Sequence, residues 1–240
     1  MDTLIKYSVL DSQFANLAES WKIFLKLNYN SQSAINIIFD SEIPTIIDSE
    51  SRKLKIDFQN DHINYNKKKS GLNSEPLSRA LGAGKKGLCV LDLSAGMAVD
   101  AVFLAQMGYR VTAVERNPLL YLALCQALKN CTEVFAKNIK FEFADASAFL
   151  KNTAEIFDIC YFDPMFPSKK KTALPKQEMV LFKNLVGADE DAENVLKLAM
   201  DSKKFKRCVV KRPILAQALL PPSGAIQGKM IRYDIYGGID

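Results

Sequence analysis

The chain has a single histidine, His62, set in the polar stretch QNDHINYN. With so little imidazole, a Ser-His-Asp triad, a histidine-rich metal site and HExxH chemistry are all poorly supported. His62 reads as a solvated residue of a loop or strand end. C-x-x-C pairs are missing too. The five cysteines, Cys89, Cys125, Cys131, Cys160 and Cys208, are odd in number and four lie inside apolar stretches. They read as reduced, mostly buried thiols of a cytoplasmic protein. No run of about 18 uncharged apolar residues occurs, which excludes a membrane-spanning helix. The N-terminus carries acids early and lacks the basic-then-apolar pattern of a secretion signal. Charge of one sign is scarce: 32 Lys and Arg against 27 Asp and Glu leave +5 over 240 residues. That suits a polyanionic partner without requiring one. What remains is globular composition, 48% hydrophobic, enough to bury the cores of one or two domains.

Two regions read differently. Helical spacing of Phe14, Leu17, Trp21, Phe24 and Leu25 predicts a helix over Ser12–Leu27. Strand-like runs follow at Ala34–Phe39, Thr45–Asp48 and the alternating Lys53–Phe58. Together they suggest a small α+β module. The polar, basic stretch Asn64–Glu75 reads as a linker, and Pro76–Gly82 as a short helix. The expected division is therefore residues 1–75, module and linker, and residues 76–240, a second domain. No internal repeat is visible.

From Gly87 onward β and α alternate. Strands are predicted at Gly87–Gly96, Tyr109–Glu115, Ile139–Asp145, Phe157–Asp163 and Cys208–Pro213, and a closing strand at Met230–Gly238. Helices are predicted at Ala101–Gly108, Asn117–Asn130 with Pro118 in its first turn, Ala146–Lys151, Lys176–Leu185 and Glu190–Met200. Strands separated by helices imply crossovers and a doubly wound, Rossmann-like α/β sheet. Such sheets bind ligands at the carboxyl ends of their strands, where strand order reverses.

Those ends carry acids. The first strand leads into Asp92-Leu93-Ser94-Ala95-Gly96-Met97-Ala98-Val99-Asp100. Only Gly96 bares the backbone, and the dinucleotide fingerprint G-x-G-x-x-G is absent, which disfavours a nicotinamide cofactor. Glu115 ends the next strand, where a carboxylate can accept from both hydroxyls of a ribose. Asp145, followed by Ala146 and Ser147, can accept from an adenine amino group, cap the next helix, or do both. A single-glycine loop and acids in this order resemble S-adenosylmethionine-dependent methyltransferases, whose ligand has an adenosine but no pyrophosphate. The fourth strand end, YFDPMFP at Tyr161–Pro167, resembles the D-P-P-Y signature of enzymes that methylate exocyclic amines of bases. Met165 replaces the second proline and Phe166 the tyrosine. The lone pair of such an amine is delocalised into the ring. Acceptors on its N–H groups, here Asp163 and the Pro164 carbonyl, can make it reactive, and Phe166 offers a stacking face for the base.

The segments VLDLSAGMAVDA, VERNPLLYLAL, YFDPMFPSKKKTALPKQEM, LVGADEDA, VVKRP and RYDIYGG, in this order over residues 75–240, are together similar to the bacterial 16S rRNA guanine-N2-methyltransferase family. The N-terminal 70 residues match only loosely. The resemblance implies a class I methyltransferase sheet that transfers a methyl group from S-adenosylmethionine to N2 of a guanosine near the 3′ end of 16S rRNA. It also implies cofactor contacts from Val99 and Asp100, from Glu115 and Arg116, from Asp145–Ser147 and from Asp163. Val99 stands where the family commonly has arginine, so only a backbone contact is expected there. The partner it implies is 16S rRNA or the small ribosomal subunit, in the cytoplasm, with no metal and no membrane expected.

Lys169, Lys170 and Lys171 follow the catalytic loop and are expected to contact RNA phosphates. Lys67–Lys69, Lys85, Lys86, Lys211 and Arg212 are further candidates. Two rival readings are an amino-methyltransferase acting on DNA adenine or cytosine, and a non-catalytic RNA-binding module with a methyltransferase fold. No DNA-reading module is visible, which disfavours the first. The intact strand-end acids disfavour the second.

Overall fold

A computed structural model describes residues 4–30, 33–60, 75–82, 87–165 and 176–237. Two compact units emerge, each made of separate stretches of chain. The first joins the described N-terminal residues up to residue 60 with residues 117–132 and 176–188; the rest form the second.

In the first unit four strands pair in the order β1-β2-β3-β4: β1 Ile5–Val9, β2 Ile35–Phe39, β3 Thr45–Asp48 and β4 Lys53–Leu54. β1 runs parallel to β2, so a helix must cross between them. That helix is α1, Ala15–Asn28, entered through a 3₁₀ turn whose first N–H groups meet Asp11: Gln13 N donates to Asp11 Oδ1 at 3.0 Å. α1 buries Ala18, Trp21 and Leu25 at three-to-four spacing, and Trp21 meets Phe39 edge-on with ring centroids 5.7 Å apart. The expected strand Lys53–Phe58 is corrected: only Lys53 and Leu54 pair. Asp57 turns the chain, its Oδ1 accepting from the backbone of Gln59 and Asn60. Ile56 and Phe58 are still buried, so the alternation reports burial and not pairing. α4, Pro118–Lys129, and α6, Gln177–Val186, belong to this unit as well. Tyr121 on α4 faces Phe24 at 5.8 Å, and Gln126 Nε2 donates to the Glu42 carbonyl at 2.7 Å.

The second unit is built on a seven-stranded sheet in the order β10-β11-β9-β8-β5-β6-β7. Its strands are β5 Cys89–Asp92, β6 Arg110–Glu115, β7 Ile139–Phe143, β8 Ile159–Phe162, β9 Arg207–Pro213, β10 Gly224–Gln227 and β11 Ile231–Tyr236. β5 to β9 are parallel, whereas β11 is antiparallel to both β9 and β10. The doubly wound sheet expected from the sequence is therefore present. All four residues of β8 are buried, as a strand covered on both faces requires. Leu91, Leu150, Phe162, Val195, Leu196 and Val210 anchor one core, joining the sheet to α5, Ala146–Asn152, and α7, Ala192–Asp201. The remaining helices are α2, Pro76–Ala80, and α3, Val99–Gln106. Strand order reverses at β5, whose neighbours are β6 on one side and β8 on the other. Cys160 and Cys208 are buried opposite each other on β8 and β9; the other three cysteines are half-buried. Among the described residues no helix is long and apolar enough to cross a membrane. His62, Lys67–Lys69, Lys85 and Lys86 lie outside the described residues, as does all of the expected linker except Glu75.

Candidate active site

Beyond Asp92 the chain turns sharply to enter α3. Gly96 has φ +56° and Ala98 φ +57°, both in the left-handed region. Ala98 is fully buried there, a conformation that costs an L-residue about 1–2 kcal/mol. Neighbouring strand ends hold the loop in place. Ala95 N donates to the Val114 carbonyl at 2.9 Å, and Gly96 N donates to Glu115 Oε2 at 2.9 Å. Ser94 donates through N and Oγ to Asp92 Oδ1, while its Oγ accepts from Asp163 N at 2.7 Å. The ends of β5, β6 and β8 are thus joined directly at the reversal point. Ala144 N donates to the Glu115 carbonyl at 3.2 Å, which brings the end of β7 beside β6.

Asp92, Gly96, Asp100, Glu115 and Asp163 come together here, as the sequence suggests. Asp92 and Glu115 are buried, at 1% and 5% exposure. Asp100, in the first turn of α3, accepts from Tyr161 Oη at 2.6 Å and Lys211 Nζ at 2.7 Å. The same ammonium lies 2.9 Å from Asp163 Oδ2. Val99 is exposed beside them. Asp145 caps α5, accepting from Ala148 N at 3.1 Å, with Ala146 and Ser147 in the first turn. The Arg116 guanidinium pairs with Asp189 and sits 3.8 Å from Asp191. Pro164 is buried. Met165 exchanges two bonds with Asp189, its N–H donating to Asp189 Oδ2 at 2.6 Å and its carbonyl accepting from Asp189 N at 3.0 Å. Phe166, Lys169, Lys170 and Lys171 lie outside the described residues.

Burial dominates the electrostatics. It pushes the Asp92 carboxyl up to about 7; the Ser94 N–H opposes this, and the charges of Asp100 and Asp163 add to it. Burial also raises Asp163, with Lys211 pulling back and Asp100 pushing further up. Burial disfavours the Lys211 ammonium, yet the carboxylates of Asp100 and Asp163 outweigh it and hold the proton firmly. The Tyr161 hydroxyl is raised by burial and then by Asp100, so it donates as a neutral phenol. Around Lys211 and the strand ends, acidic groups therefore outnumber cations. Such a site suits a positively charged ligand bearing hydroxyls. Among the described residues no group of His, Cys, Asp or Glu is placed to hold a metal ion.

Two expected phosphate contacts are corrected. Lys211 turns inward to the two aspartates, and Arg212 is buried, donating to the Gln217 carbonyl. Both lie in β9, where a basic side chain within an apolar strand needs an internal acceptor. That rule, applied to CVVKRP, was the available signal. Ser94, Tyr161 and Asp189 were missed as well; each acts through a partner distant in sequence.

Comparison with known proteins bears on the family and the fold. The family of putative SAM-dependent methyltransferases matches residues 17–238. A ribosomal RNA small subunit methyltransferase J from Bdellovibrio bacteriovorus is 42% identical over 226 residues, covering 91% of this chain and 89% of that protein. Another, from Hydrogenovibrio crunogenus, is 38% identical over 191 residues, covering 75% and 68%. The crystal structure of a SAM-dependent methyltransferase from Neisseria gonorrhoeae has the same fold, with a TM-score of 0.69 at 23% identity over 96% of this chain and 95% of that one.

Proposed function

The chain belongs to the SAM-dependent methyltransferase family that includes the ribosomal RNA small subunit methyltransferases J, and we propose that it methylates the exocyclic N2 of a guanosine near the 3′ end of 16S rRNA. The observation that carries this reading is the meeting of Asp92, Asp100, Glu115 and Asp163 at the reversal point of the sheet. The donor set fits S-adenosylmethionine. Glu115 is a buried carboxylate already holding the Gly96 N–H, and in this reading it also accepts the ribose hydroxyls. Asp145, Ala146 and Ser147 offer an acceptor and helix-terminal N–H groups for adenine. In this reading Gly96, Val99, Asp100 and Arg116 are the contacts on the loop side, and the excess of acids over Lys211 matches a cationic ligand.

S-adenosylmethionine, when bound, would supply an electrophilic methyl group on a sulfonium, the S–CH3 bond breaking as the N–CH3 bond forms and S-adenosylhomocysteine being released. The chain's own task is to bring the amine into line and polarise it. Asp163 accepts one N–H of the amine and the Pro164 carbonyl the other, taking up the positive charge that develops on nitrogen. One proton then leaves the methylated nitrogen for the Asp163 carboxylate or solvent. Phe166 stacks on the base, and Lys169–Lys171 hold phosphates. In this reading the unit built on the seven-stranded sheet is the methyltransferase domain and the unit built on the four-stranded sheet, which takes in α4 and α6, an accessory module, working in the cytoplasm on 16S rRNA or the small subunit. The test is mass mapping of 16S rRNA from cells with and without the protein. Loss of one N2-methylguanosine supports the reading; an unchanged modification map overturns it.

A further inference from the structure

We propose that Lys211 is a positioning residue for Asp163: its ammonium, anchored on Asp100, aims the Asp163 carboxylate and keeps it ionised for the amine of the base. This rests on the methyl-transfer reading above. Lys211 stands in β9, one strand beyond the proposed catalytic strand end, and reaches both aspartates through one nitrogen, at 2.7 Å to Asp100 Oδ2 and 2.9 Å to Asp163 Oδ2. Tyr161 in β8 completes the anchor by donating to the same Asp100 oxygen. Asp163 is fixed at its other end as well, its N–H donating to Ser94 Oγ. Backbone and side chain are thus held by different elements, which leaves the carboxylate little freedom to turn.

The charges facing Asp163 explain the need for a cation. Asp100 on α3, Asp92 at the end of β5 and Asp189 ahead of α7 are all acidic, and Tyr161 is a neutral donor. Burial among like charges favours the protonated acid. A protonated Asp163 would keep a proton on the group that must accept the amine N–H. Lys211 is the positive charge in contact with it. Because the two carboxylates hold the ammonium proton so firmly, Lys211 is no proton acceptor itself.

The test combines two readouts on wild type, Lys211→Met and Lys211→Arg. Carboxyl carbon NMR, with the Asp163 signal identified by its loss in Asp163→Asn, follows that group directly through pH. Turnover on rRNA at saturating S-adenosylmethionine follows its consequence. In Lys211→Met the Asp163 titration and the acid limb of turnover should both move up by about one pH unit or more, the usual effect of removing an adjacent opposite charge. Lys211→Arg should restore both. Should Lys211→Met not fold, Lys211→Gln removes the charge with less loss of polarity and carries the same expectation. An Asp163 titration unmoved in the neutral variants overturns the proposal. If the titration moves while wild type leaves rRNA unmethylated, the hold on Asp163 stands and the methyl-transfer reading fails.

Discussion

Replacing Glu115 by glutamine separates two tasks of one carboxylate. In the structure Oε2 accepts the Gly96 N–H at 2.9 Å from a buried position. The glutamine carbonyl can keep that bond, so the loop after β5 should survive. What disappears is the charged acceptor for ribose hydroxyls, and a hydrogen bond to a charged group contributes about 1.5–3 kcal/mol. Calorimetric affinity for S-adenosylmethionine should therefore fall by about 10- to 150-fold. Glu115→Ala removes the loop bond as well. It should match the loss of affinity and also lower the melting temperature, by about 2–4 °C per kcal/mol lost in a chain of this size. Affinity of Glu115→Gln within about threefold of wild type, equivalent to less than about 0.7 kcal/mol, would refute the ribose assignment.

Asp163→Ala should cut turnover by about 10²–10³ at saturating donor, as loss of a transition-state acceptor does; near wild-type turnover on rRNA would leave the DPM turn a purely structural one. Asp189→Ala releases the Met165 N–H and the Arg116 guanidinium together, and misplacement of the catalytic turn should slow turnover by about 10- to 100-fold, with partial recovery in Asp189→Asn. Unaltered turnover in Asp189→Ala would sink that link. Asp92 titrates near 7 when folded but near 4 when unfolded, so between those values the folded state binds more protons and stability falls as pH rises. Asp92→Asn should then be more stable than wild type by a margin that grows from about pH 4 to about pH 7 and is constant above, and a pH-independent margin in thermal melts would contradict the buried-acid account. Replacing Lys169, Lys170 and Lys171 by alanine should flatten the salt dependence of rRNA binding by about 0.7–0.9 log unit per lost phosphate contact, and an unchanged slope would make them ordinary solvated lysines.

Two of the parallel strands were legible because burial on both faces leaves uninterrupted apolar runs, LCVL ahead of Asp92 and ICYF in β8. Asp92 and Asp163 were legible because each directly follows such a run, and Glu115 and Asp145 because each ends a strand-like segment. β1 and β10 were not: both are edge strands, and β10 exposes Gly224, Ala225 and Gln227, leaving no alternation to read. Lys211 was misread because a charge in sequence resembles a charge on a surface; only the neighbouring strand ends reveal its acceptors. Asp189 was missed because the backbone N–H it serves lies at Met165, and nothing local signals that pairing.

The reversal of strand order at β5 also has a consequence for synthesis. β6, the neighbour on one side of β5, follows after a single helix, whereas β8, the neighbour on the other, begins only at Ile159. At about 5–20 residues per second, a nascent chain holds Val90 and Leu91 beside an unpaired strand edge for roughly 3–13 s. During that interval one edge of β5 is without its native partner strand, and an unpaired edge is open to pairing with another strand. Lys211 arrives later still, in β9. A chain cut short before it would have Asp92, Glu115 and Asp163 but not the cation that Asp163 contacts.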